Sequence, residues 1–315
     1  MVTRVSTLGN YETVLANLMA AQQRQVDASN RVSTQKNATD LKGYASNDEL
    51  LTAMQSVQIR LNNYTSQNSL VADKLTSQDT ALNQVADAAQ QARQAIADAL
   101  ASGDATTLMT QLQGAMNQAV GAMNTKYNGS YLFAGGQINT QPVTPQQLSD
   151  LTAGGPPNPA VSTFFKNDQF KSQAQVDDST TVTTGVLASD IGTNLLTAFQ
   201  TAESFDQGAS GPFNGTITPA QRTFLENQLA TWDSVHTGVI NLAAQNGMVQ
   251  QRVQNVGTDI TSRQNTLTQM MSNITDADMG KAAADLQMAQ TSFAAAAQVF
   301  QSLKDSSLLN LLKIS

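Results

Sequence analysis

The chain's one histidine, His236, stands three residues after Asp233. On a helix this spacing puts imidazole and carboxylate on one face, the arrangement from which a general base is built. A nucleophile elbow and a glycine-rich oxyanion loop would have to accompany it. Neither pattern occurs, so an ordinary helical surface is the better reading. Asp276-Ala277-Asp278-Met279-Gly280 supplies the first two acids of a calcium loop. The third acid is missing, and the twelfth position is Gln287 rather than a bidentate glutamate. Acids placed there suit a helix start, with Thr275 or Asp278 as the cap. Gly135-Gly136 lacks the further glycines and the lysine of a phosphate loop and reads as a turn. Cysteine is absent, which removes disulfides, thiolate zinc sites and cysteine nucleophiles. The residues thus predict no catalytic group, no metal and no cofactor.

What remains is a scaffold. The 315 residues carry a net charge of −7, and only 13% are charged. An acidic balance argues against nucleic acid and against an anionic membrane as partners. A low charged fraction points to a surface covered by something else. No apolar run reaches the length of about 18 residues read as a membrane span. The first segment is interrupted by Asn10, Glu12 and Asn17 and has no signal-peptide core. All 7 prolines lie between Pro142 and Pro219, so both flanks are free to form long helices.

The flanks carry the matching pattern. From Met54, positions spaced three and four apart run Val57, Leu61, Tyr64, Asn68, Val71, Leu75, Gln78, Leu82, Val85, Ala89, Ala92, Ile96 and Ala99. From Trp232 the same spacing gives Val235, Val239, Leu242, Asn246, Val249, Val253, Val256, Ile260, Arg263, Leu267, Met270 and Ile274. A sustained period of about 3.5 residues is a coiled-coil seam. Two such helices on either side of one insertion pair most simply as antiparallel partners. A second helix is predicted over 106–127, after a break at Ser102-Gly103-Asp104. Glycines 238, 247 and 257 inside the second seam suggest close helix packing.

At the C-terminal end, Met279, Ala282, Leu286, Ala289, Phe293, Ala296, Phe300 and Leu303 form one stripe, and alanines cover the other faces. Leu8, Tyr11, Leu15 and Leu18 follow a similar spacing at the N-terminal end. A helix apolar nearly all round needs neighbours on several sides, and two helices cannot cover that much surface. Other subunits are implied. The predicted subunit-interface residues are Leu8, Leu15, Leu18, Met279, Leu286, Phe293, Phe300, Leu303, Leu308 and Leu311. The middle is rich in Gly, Pro, Thr and Ser. Its β-branched stretch Val176–Val186 reads as strands with turns, and 188–206 as a short helix.

The expected fold is therefore mainly α: an elongated antiparallel coiled-coil bundle built from both chain ends, with a small β-containing domain inserted in the middle. The expected zones are 1–44 with 275–315 as the terminal assembly domain, 45–134 with 216–274 as the helical bundle, and 135–215 as the inserted domain.

Three segments carry a family resemblance. Ala28-Ser29-Asn30-Arg31-Val32-Ser33-Thr34 resembles a conserved N-terminal segment of the bacterial flagellin superfamily. Asp276-Ala277-Asp278, Leu286, Gln290 and Ser307-Leu308-Leu309-Asn310-Leu311-Leu312 resemble its C-terminal ending. Tyr131-Leu132-Phe133-Ala134-Gly135 with Gln141-Pro142-Val143 is similar to the superfamily's hook–filament junction branch. The stretch Gln35–Tyr44 departs from the pattern. The resemblance implies a structural adaptor ring of a few copies joining hook to filament. Its partners would be copies of itself, a hook-associated protein on the hook side, flagellin on the filament side and an export chaperone. It also implies an extracellular, flagellar location reached through the type III channel without a cleaved signal. Three other readings are a filament flagellin, a cytoplasmic coiled-coil scaffold, and an enzyme dependent on His236.

Overall fold

The computed structural model describes residues 2–44 and 46–312, with side chains described over 9–44 and 46–305. Among them are helices α1 (Val2–Thr34), α2 (Asp48–Ser102), α3 (Leu108–Met123), α4 (Ala188–Asp206), α5 (Pro219–Thr275) and α6 (Met279–Leu312). Two small antiparallel hairpins make up the β region: β1 (Lys126–Tyr127) with β2 (Ser130–Tyr131), and β3 (Gln173–Asp177) with β4 (Thr180–Thr183). The fold is mainly α with a small β region in the middle. The chain forms two compact units, residues 1–61 with 262–315, and residues 62–261.

The start of α5 is written in its sequence. Pro219 takes the first helical position, where its missing N–H is no loss. The Gln221 N–H donates to Thr218 Oγ1, and the Thr218 N–H donates to Gln221 Oε1, closing a capping box. The α3 helix is shorter than the predicted 106–127. It stops at Met123 because Asn124 turns out to hold the middle segment, bonding both the carbonyl (2.9 Å) and the N–H (3.0 Å) of Val143.

In the larger unit α2 and α5 run antiparallel. Leu75 belongs to one cluster with Val253, while Arg93 pairs with Asp233 at 2.5 Å. Every seam position predicted on α2 from Leu75 to Ala99 is buried. One continuous core joins these helices to α3, α4 and the 132–165 segment, centred on Trp232, Phe199 and Phe133, all 0% exposed. The Phe199 and Trp232 rings meet edge to face at 4.7 Å. Phe205, Phe213 and Phe224 stack at its margin.

Three of the four polar exceptions in the seams, the amides, have a common task. Asn68 Nδ2 donates to Val176 O (3.0 Å), Gln78 Nε2 to Thr184 O (3.0 Å) and Asn246 Nδ2 to Leu75 O (2.8 Å), all buried. Val176 lies at a β-bulge, where the β3–β4 register shifts between Gln175 and Asp177. A bulge leaves a residue outside the ladder, and Asn68 takes up its carbonyl. The hairpin is thereby fixed onto α2.

Candidate functional site

The smaller unit brings the two ends of the chain together. Helices α1 and α6 pair antiparallel: the Tyr11 and Phe300 rings lie 5.3 Å apart, and Arg31 approaches Asp285 at 3.8 Å. At the base of the pair, the segment that departs from the family pattern forms a clasp. The Asn37 N–H donates to Thr275 O at 2.8 Å and the Ala277 N–H to Gln35 O at 2.9 Å. Asn37 Nδ2 donates to Ile274 O and Asp276 O, and Tyr44 Oη to Ala38 O and Thr275 O. Lys36 forms an ion pair with Asp276. Hydrogen bonds from Lys36, Ser272 and Thr275 hold the Asp276 carboxyl down to about 2.

The two acids of the incomplete calcium loop are thus separately employed. Asp276 is engaged by Lys36, while Asp278 caps α6 by accepting the N–H groups of Gly280 (2.9 Å) and Lys281 (3.1 Å). Asp233 is engaged by Arg93 rather than His236. Gly135 sits at positive φ against Asp168, whose carboxylate accepts the Gly136 and Phe170 N–H groups, both at 2.9 Å. The Gly135-Gly136 turn is a backbone joint.

The predicted interface residues fall as follows. Leu15 and Leu18 on α1, and Leu286, Phe293, Phe300 and Leu303 on α6, are half-buried. Met279 is exposed at 41%. The side chains of Leu8, Leu308 and Leu311 lie outside the described residues. Among described side chains of the pair, the fully buried ones are alanines: Ala21, Ala28 and Ala282. Large apolar groups stay uncovered on both helices, notably Met19 at 63%, Val26 at 46%, Met288 at 60% and Val299 at 54%. Met288 was not among the predicted contacts because it stands off the main α6 stripe. Lys36, Asn37 and Tyr44 were likewise missed, since isolated polar residues carry no periodic signal.

Two family models match this chain: the bacterial flagellin N-terminal helical region over residues 5–138, and the bacterial flagellin C-terminal helical region over residues 229–312. The chain belongs to the bacterial flagellin superfamily. It is accordingly a structural component of the bacterial flagellum, an extracellular assembly. Solved structures share its fold. A chain from Vibrio parahaemolyticus assigned as a flagellar hook-associated protein is 13% identical with a TM-score of 0.57, over 72% of this chain and 96% of that one. Bacillus cereus FlgL is 14% identical with a TM-score of 0.54, over 69% and 97%. Xanthomonas campestris FlgL is 13% identical with a TM-score of 0.53, over 70% and 99%. No curated protein matches the chain.

Proposed function

We propose that this flagellin-superfamily chain is an adaptor subunit at the hook–filament junction, assembled as a ring of copies through its terminal helices. The observation that carries the reading is the α1–α6 pair, whose buried side chains among the described residues are alanines and whose described large apolar side chains are half-covered or exposed. Such a pair gains little from burial alone and gains much when neighbours cover it. The fold shared with chains described as FlgL, and the Tyr131-Leu132-Phe133-Ala134-Gly135 segment, favour the junction over the filament. In this reading residues 1–44 with 275–315 form the inner assembly zone, 45–134 with 216–274 the shell around it, and 135–215 the outermost part. The ten interface residues, Leu8 through Leu311, meet copies of the chain. A hook-associated protein adjoins on one side and flagellin on the other. An export chaperone accompanies the chain to the type III channel, and the protein catalyses no reaction.

Deletion of the protein tests this. Electron microscopy should show bare hooks, with flagellin shed into the medium as monomer, because exported filament subunits have nothing to seat on. Normal or merely altered filaments would sink the junction reading in favour of a minor filament flagellin.

A further inference from the structure

We propose that the cleft floored by Lys74, in the larger unit, is a binding site for a small apolar carboxylate. It is separate from the terminal pair, and no residue of the assembly surface lines it. The cleft has a volume of about 470 Å³, within the range of small-molecule sites. Tyr127 and Tyr131 line it, and Ile138 and Phe170 stand exposed at 46% and 61%. Aromatic and aliphatic groups held open in this way are the usual wall of a ligand site.

The cation is what gives the cleft a chemical preference. Lys74 Nζ is half-buried, and its hydrogen-bond partner is the Ser172 hydroxyl at 3.0 Å. No carboxylate pairs with it among the described residues. The acids nearby are committed elsewhere: Asp168 to the Gly136 and Phe170 N–H groups, Asp190 to Lys171 at 2.8 Å. Burial lowers the Lys74 pKa, the mark of an ammonium short of solvent and counter-charge. An incoming carboxylate supplies that charge while its hydrocarbon part covers the rings. Lys74 is the one ammonium among the lining residues, and Lys126 Nζ is committed to the Tyr131 ring at 4.5 Å, so the chemistry selects a monoanion with an apolar body.

Benzoate is the probe and benzamide its uncharged isostere, each titrated into the full chain and followed by amide NMR and calorimetry. Benzoate should shift amides of residues 127–138, 170–172 and 185–186, and should bind at least about tenfold more tightly than benzamide. Lys74→Met should abolish that preference. Equal binding of the two probes, shifts centred elsewhere, or no saturation by about 20 mM benzoate would overturn the proposal. The two-probe comparison uses the native chain, so it decides the matter even if the variant fails to fold. Failure here leaves the flagellar reading standing: that reading uses Tyr131, Leu132 and Gly135 only as a sequence segment, and its test is the deletion phenotype, which involves no ligand.

Discussion

Asn68, Gln78 and Asn246 each donate one amide to a backbone carbonyl, yet Asn68 Oδ1, Gln78 Oε1 and Asn246 Oδ1 are buried without a partner. A half-satisfied buried amide adds little net stability. What it supplies is register, because only one alignment offers it a carbonyl. The two asparagines should therefore respond differently to removal. Leu75 lies within α2, so its carbonyl keeps a helical partner when Asn246 is replaced. Asn246→Leu should leave stability within about 1 kcal/mol of the parent. Asn68→Leu instead orphans the bulge carbonyl of Val176 and should lose about 1–3 kcal/mol, read as a lower urea midpoint at unchanged slope. Asp276 gives a pH test. Its folded pKa of about 2 lies below the value of about 3.9 for a free aspartate. Its contribution is therefore present above pH about 4 and lost as pH falls through about 2. Asp276→Asn should loosen the 35–44 clasp at pH 6, seen as faster exchange of the Asn37 and Ala277 amides. The difference from the parent should shrink as pH falls through about 2 and vanish below it.

At the level of elements, glycine position separates two kinds of packing. The expectation that glycines 238, 247 and 257 permit close approach is not met within the chain, because a Cβ at any of them meets nothing within 4 Å. Replacing each with alanine should stabilise the free chain by up to about 1 kcal/mol, measured by thermal or urea unfolding. Gly192 is the opposite case. A Cβ there would lie 2.7 Å from Met123 Sδ and 2.9 Å from the Phe165 ring. Gly192→Ala should cost about 1–3 kcal/mol through overpacking. The long helices were legible because their apolar period holds over many turns. Ser102-Gly103-Asp104 marked an end that the structure keeps. The end of α3 and the bulge at Val176 were not legible. Each depends on a side chain reaching a segment distant in sequence, Asn124 to Val143 and Asn68 to Val176.

For the whole molecule, the proposed assembly makes the terminal pair the part whose stability depends on company. With alanines as the buried side chains among its described residues, the isolated pair has little to offset an ordering cost of about 1–2 kcal/mol per residue. Amides of residues 279–303 should exchange rapidly in the dilute monomer and become protected on assembly. Phe293→Ala and Phe300→Ala should each weaken assembly by about 3 kcal/mol while leaving the melting of residues 62–261 unchanged. A markedly lower melting temperature for the monomer would place these rings in its own core. The apolar stripe of this surface was readable, since it repeats along a helix. The clasp beneath it was not. Its function rests on backbone groups of residues 35–38 meeting those of 274–277, a meeting that no local pattern announces.

That meeting also fixes an order of events. Tyr11 and Phe300 touch although they stand at opposite ends of the chain. Contacts of the greatest sequence separation carry the largest loop-closure entropy and form late unless the intervening chain has already folded. During synthesis α1 precedes α6 and waits for it while the residues between them are added. Over that interval its apolar face has no cover of its own. The fold thus gives the growing chain a long adhesive phase, and premature association is a hazard its cell must manage in time rather than in space.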